Sequence, residues 1–422
     1  MPKPSERSFL DLTHYAYISL AFFADFHISH TIVHGFTTHT PQGSHLYSVQ
    51  STFILPLPVS CLTAIHQVGT STPLWTASFA SLDSFLLVPT AFSPPLQIAF
   101  AYSKAPPLFL PTYQTQLRWH RVISPYIKIG GYGDDGYHPT GKEARTVDWI
   151  FLLDTLNFCF WTAGNADKWT VNGQTGYMGI VAALRRAFNE GMDIANPQVY
   201  SKITEAQMAH ICRSDDGVTP IPLLELRVKC MHEVGTGLID RFGGTFKTCV
   251  ADADASGLTL VKIVVENFPC FRDEALYEKK RVAFYKRAQI LVADLWNCFK
   301  GQSWGEFTDI EELAMFADYR VPQVLVHFGA LEYSPELMKK LKEDVILKNG
   351  DREEVEIRGG SIQAVELVNI EVKHMIGELY DPKMKTSDIN AVMIDYFLWL
   401  YRREHAAELE HIPFHKVLSQ FY

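Results

Sequence analysis

From Thr146 onward, apolar residues recur three and four positions apart, the spacing of helices that bury one face. That spacing predicts helices over Tyr177–Glu190, Thr204–Cys212, Leu223–Arg241 and Leu258–Val265, with Phe242-Gly243-Gly244 as a C-terminal stop capped by a left-handed glycine. The longest helix is expected over Tyr277–Phe299. Others are expected over Pro322–Ala330, Pro335–Leu347, Ser361–Leu379 and Ser387–Glu408, while the charges of Asp351–Gly359 read as a solvated helix face and cap. Lys168–Tyr177 alternates around Asn172-Gly173, a pair favoured in tight turns, so a short β-hairpin is expected there. Val147–Trp161 is dense enough in apolar and aromatic residues to belong in a core.

The first part of the chain has a different texture. Of 38 Lys and Arg and 47 Asp and Glu, only 8 fall in residues 1–120, and none lies between Phe26 and Leu82. No helical period is sustained there, and prolines at 56, 58, 73, 89, 94 and 95 interrupt each apolar run before it can span a bilayer. Asp11, His14 and Asp25 break up the early apolar stretch, which fits a signal peptide poorly. Residues 1–130 are therefore expected to be a low-charge, poorly structured extension, either disordered or not native coding sequence. Residues 131–422 are the expected folded domain, mainly α.

Composition narrows the function. With 422 residues, 47% hydrophobic, the chain can bury a large core, and its net charge of −9 argues against a broad non-specific nucleic-acid surface. Seven widely spaced cysteines form no C-x-x-C pair, the usage of a reducing, cytoplasmic compartment. There is no H-E-x-x-H, and Pro413 separates His411 from His415, so no metal is expected.

Two carboxylates sit in apolar company. Asp318 lies in M-F-A-D-Y-R-V-P-Q (Met315–Gln323), between Phe316 and Tyr319. Held there it can accept paired donors from a purine-like ring; on local evidence alone, a charge at a helix end, paired with Arg320 on the surface, is the simpler reading. Asp395 has Ala391, Val392, Leu398 and Trp399 around it at helical spacing, so it must be paired, protonated or functional. Lys286 is read on the apolar face of the long helix, with Val282, Gln289, Ile290 and Ala293 as neighbours; it either snorkels to solvent or needs an anion. Asn157, amid an apolar run, must bond to backbone or to a ligand. Two carboxylates, an inward lysine and several aromatics match the needs of glycosidic bond cleavage at a nucleoside.

The segments D-T-L-N-F-C-F-W (154–161), F-Y-K-R-A-Q-I-L-V-A-D (284–294), M-F-A-D-Y-R-V-P-Q (315–323), G-D-R-E-E-V-E-I-R-G (350–359), I-D-Y-F-L-W (394–399) and I-P-F-H (412–415) together resemble the queuosine salvage protein family over roughly Tyr137–Tyr422. The resemblance implies a mainly helical fold similar to helix-hairpin-helix DNA glycosylases, with no metal and no organic cofactor; the short β-hairpin is the one read at Lys168–Tyr177. It implies hydrolysis of queuosine 5′-phosphate to release queuine for tRNA modification, acting on a small molecule with no direct nucleic-acid or membrane partner. Carried over by motif, Asp395 and Lys286 are the expected catalytic residues. Phe316, Asp318, Tyr396, Tyr319, Asn157 and Trp161 are the expected substrate-binding residues. Two positions depart from the family pattern: Leu400 stands where an aspartate is usual, and Asp135 where a pocket histidine is usual. A nucleic-acid glycosylase of related fold and a non-catalytic binder of queuine nucleotides are the alternatives.

Overall fold

The computed structural model describes residues 18–19, 30–40, 43–53, 138–139, 144–162, 167–379 and 389–422. Most of the expected extension, and Asp135 with it, lies outside the described residues. The described residues belong to two units, the strands before residue 54 and everything from His138 onward. The first is a three-stranded antiparallel sheet of β1 (Ile18–Ser19), β2 (His30–Thr40) and β3 (Gly43–Phe53) in the order β1-β2-β3. His30 pairs with Phe53 and Thr40 with Gly43 at the two ends of the long hairpin, in strands rich in Thr, Val and aromatic residues.

The second unit is mainly helical. Ala144–Thr155 (α1) runs through the middle of its first core, with Ile150, Phe151, Leu152 and Leu153 wholly buried. Each such side chain contributes about 1.5–3 kcal/mol of burial. Phe151 stacks on Phe246 at a centroid distance of 4.1 Å. Around α1 stand Gly176–Asn189 (α2), Pro197–Tyr200 (α3), Glu205–Ile211 (α4), Leu224–Arg241 (α5), Phe246–Asp252 (α6) and Gly257–Asn267 (α7). Of these, α2, α4, α5 and α7 match the spacing-based expectation closely, whereas α3 and α6 were not expected. Thr204 and Gln207 form a capping box at the start of α4, and Gly244 closes α5 by donating to the Leu238 carbonyl at 2.9 Å. At 168–177 the expected hairpin contracts to a single bridge, Val171 with Gln174, across the Asn172-Gly173 turn.

The long helix expected over Tyr277–Phe299 is instead a hairpin followed by a shorter helix. Strands β4 (Glu274–Tyr277) and β5 (Lys280–Ala283) pair antiparallel, and α8 covers Lys286–Cys298. Glu278 and Lys279 both adopt positive φ, 49° and 67°, to make the turn. Neither residue type advertises that conformation, which explains the misreading. Lys286 therefore opens its helix, and Val282 is a strand residue rather than a helical neighbour.

The second core gathers β4 and β5 with Val321–His327 (α9), Pro335–Lys342 (α10), Arg352–Leu379 (α11), Ala391–Glu404 (α12) and Ala406–Leu409 (α13). Short parallel strands β6 (Ile346–Leu347) and β7 (Lys416–Val417) tie the chain's last residues in. The helix expected to run from Pro335 to Leu347 thus stops at Lys342. Helix α11 runs through Gly359 and Gly360, and three of its charges are not solvated: Glu354, Glu356 and Arg358 are buried, while Arg352 stays exposed. Among the described residues, no helix is long and apolar enough to cross a membrane.

Candidate active site

The two cores meet along Met315–Ala317, an extended segment whose side chains alternate. Phe316 packs into the first core, while Met315 and Ala317 on either side pack into the second. Helices hold this segment from three directions. On α8, Gln289 Oε1 accepts from the Ala314 amide at 2.9 Å; on α11, Arg358 Nε donates to the Ala317 carbonyl at 2.9 Å; on α12, Asp395 Oδ1 accepts from the Phe316 amide at 3.1 Å. Arg358 can be buried because Asp273 (2.9 Å) and Glu354 (3.1 Å) neutralise it.

Beside this segment opens a cavity of about 840 Å³. All eight residues singled out in the sequence line it: Asn157, Trp161, Lys286, Phe316, Asp318, Tyr319, Asp395 and Tyr396. Asp318 neither ends a helix nor pairs with the Arg320 guanidinium. Its Oδ1 accepts the amides of Arg320 (2.8 Å) and Val321 (2.7 Å), capping the start of α9, and its second oxygen remains available to the cavity. The Arg320 guanidinium lies over the Phe414 ring at 3.9 Å and donates to Gln323 at 3.1 Å.

Asp395 is 5% exposed, and its carboxyl is pushed well above the ordinary range. Burial is the main cause and the negative charge of Asp318 adds to it; the Phe316 amide and Lys286 pull the other way. Lys286, 6% exposed, does not snorkel to solvent. Burial pushes its ammonium down, and Asp318, Asp395 and Asp154 oppose that push through space. Its amide donates to Asp273 Oδ2 at 3.2 Å, which fixes the start of α8.

Asn157–Trp161 reach the cavity because α1 is stopped by two buried arginines. Arg287 donates to the carbonyls of Asp154 (3.0 Å) and Thr155 (2.6 Å), and Arg227 to those of Phe158 (2.5 Å) and Cys159 (2.9 Å). Arg287 satisfies the last carbonyls of α1 and Arg227 those of the segment that follows, so the chain can leave α1 inside the protein. Asn157 is satisfied structurally as well, donating to Asp154 Oδ1 at 3.3 Å. Trp161 Nε1 donates to the Val417 carbonyl (3.2 Å), and the Tyr319 hydroxyl accepts from the Phe160 amide (3.3 Å), so both present ring faces rather than polar atoms. Tyr396 stands at the exposed edge, stacked on Trp399 with centroids 6.0 Å apart.

Sequence reasoning missed several wall residues, among them Tyr177, Asp294, Trp399 and Phe414. Asp294 had a signal: Lys286, Ile290, Ala293, Asp294 and Asn297 share one face of α8, and all line the cavity. Its carboxyl is raised to about 7 by burial, against the Tyr177 hydroxyl and Lys286. Leu400 also lines the cavity. Four carboxyls (Asp154, Asp294, Asp318 and Asp395) thus act through space on the buried Lys286 ammonium.

A sequence profile of the queuosine salvage protein family matches residues 137–422. The chain belongs to this family. A Bos taurus member named queuosine 5′-phosphate N-glycosylase/hydrolase is 43% identical over 309 residues, covering 72% of this chain and 89% of the relative. Members carrying the same name from Mus musculus (44% over 289 residues, 68% and 84%) and Schizosaccharomyces pombe (36% over 286 residues, 64% and 79%) align similarly. The family match begins seven residues before α1 and includes every residue that lines the cavity. The β1–β3 sheet lies outside it.

Proposed function

We propose that this protein hydrolyses the N-glycosidic bond of queuosine 5′-phosphate, releasing queuine. The observation that carries the reading is the hydrogen bond between Asp395 and the Phe316 amide: it puts a desolvated carboxylate and an aromatic base platform on the same cavity wall. Asp318 supports it, because an oxygen unused by the α9 cap can accept the adjacent N–H groups of a guanine-like edge while Phe316 lies under the ring.

In the proposed reaction the C1′–N9 bond breaks with its electron pair going to the base, and positive charge develops on the ribose. Queuine has carbon where purines have N7, so protonation there cannot assist departure. Stabilising the sugar cation then carries more of the barrier, and we assign that task to Asp395, supported by its burial on the cavity wall. Lys286 offsets the neighbouring carboxylates, so that Asp395 can be ionised in a site that otherwise favours its acid form. Water completes the hydrolysis at C1′, leaving ribose 5-phosphate and free queuine. Arg403, with its guanidinium over Trp399 at 5.0 Å and its side chain on the cavity wall, supplies a cation for the 5′-phosphate.

A concave cavity of this volume and a net charge of −9 favour a free nucleotide over a tRNA or duplex DNA. The test is to incubate the protein separately with queuosine 5′-phosphate, queuosine and queuosine-containing tRNA, and to measure free queuine. Release from the monophosphate is expected to dominate. No release from it would overturn the proposal, and release from tRNA alone would favour a nucleic-acid glycosylase.

A further inference from the structure

The mechanism above leaves Asp294 without a task. Its side chain lines the cavity two helical turns after Lys286, and the Tyr177 hydroxyl donates to its Oδ2 at 3.0 Å. Oδ1 is then the oxygen left for a ligand. The Tyr177 ring also locates this carboxyl within the cavity. It packs edge-on against Trp399 at 6.2 Å and 87°, and lies tilted at 33° to His138 with centroids 5.9 Å apart. Through Tyr177, Asp294 is thus placed on the Trp399 side of the cavity wall, and Leu400, which also lines the cavity, offers no polar atom.

Queuine differs from 7-deazaguanine by an arm on its five-membered ring: a secondary amine, cationic at neutral pH, joined to a cyclopentene bearing two hydroxyls. A carboxylate can pair with the amine and accept from a hydroxyl, whereas a leucine can do neither. Asp318 is used on the base edge and Asp395 at the sugar, so the arm needs another acceptor. We propose that Asp294, positioned by Tyr177, is the residue that recognises this cationic, hydroxyl-bearing arm. This rests on the reading of the substrate given above. The near-neutral titration of Asp294 fits the role, since a cationic ligand readily draws it into the ionised form.

The experiment compares queuosine 5′-phosphate with 7-deazaguanosine 5′-phosphate, which lacks the arm, in the wild type and in Asp294→Ala, Asp294→Asn and Tyr177→Phe. The ratio of kcat/KM for the two substrates is expected to fall about 10- to 100-fold in Asp294→Ala, with smaller falls in the other two variants. Where turnover of the armless nucleotide is too slow, calorimetric affinities for queuine and 7-deazaguanine give the same ratio. An unchanged ratio, with both substrates losing equally or neither losing, overturns the role of Asp294. If Asp294→Ala does not fold, the near-isosteric Asn and Phe variants decide by the same ratio. A wild type that releases no queuine from queuosine 5′-phosphate overturns the functional reading itself, a result separable from loss of the Asp294 role alone.

Discussion

The Asp395 carboxylate accepts the Phe316 amide at 3.1 Å, so the residue assigned to the sugar cation also sets the backbone of the residue assigned to the base. Asp395→Asn keeps an acceptor for that amide and removes only the charge. Its kcat for queuine release is expected to fall by about 10²-fold or more, while queuine affinity stays near the wild-type value. Asp395→Ala also removes the acceptor, and is expected to lose affinity as well. Single-turnover release and calorimetry separate the two effects.

Asp154 predicts how stability depends on pH. It is wholly buried, its Oδ2 has no hydrogen-bond partner, and burial followed by the charge of Asp294 raises its carboxyl well above 3.8. A raised folded-state value means the contribution is fully present below the unfolded pKa and is lost as pH rises through the folded one. Asp154→Asn keeps an oxygen for the Asn157 amide and cannot ionise. It is therefore expected to melt higher than wild type at pH 7.5, with the difference closing as pH falls toward 4. A constant difference across that range would show that ionisation at Asp154 is not the cause.

Arg358 neutralises two buried carboxylates and holds the Ala317 carbonyl. Arg358→Met leaves Asp273 and Glu354 buried without a countercharge, so a loss of about 3–5 kcal/mol in denaturant unfolding is expected. Lysine is expected to recover only part of it, because one ammonium cannot reproduce the forked contacts to Asp273 and Glu354.

Arg403 tests the phosphate end. Arg403→Ala is expected to raise KM for queuosine 5′-phosphate several-fold, with kcat nearly unchanged and little effect on the unphosphorylated nucleoside. Steady-state kinetics on the two substrates, at low and high salt, checks this. Equal losses on both would move the phosphate contact elsewhere on the wall.

The cavity carboxylates were legible because charged side chains stood in apolar runs: Asp395 on α12 and Asp318 between aromatics both broke a pattern that core packing alone would keep. What Asp318 does locally was not legible, since its cap depends on the chain turning into α9 immediately afterwards. The β4–β5 hairpin was hidden because Glu278 and Lys279 carry no preference for positive φ. The charges at 353–358 read as solvated because a neutralising partner, Asp273, lies 85 positions from Arg358, a distance no local pattern spans. Asp294 was legible in principle from the α8 face it shares with Lys286, once that face is known to meet a cavity.

The Ala314–Ala317 segment, proposed to hold the base, has no regular secondary structure of its own; it is suspended from Gln289, Arg358 and Asp395, one side chain from each of three helices. Its shape is thus borrowed from elements that also build the two cores. A change at Gln289, which is not part of the cavity wall, would let the Ala314 end of the segment sag and would register as weakened queuine binding in an otherwise folded protein. Loss of recognition, ahead of loss of fold, is the failure this suspension invites.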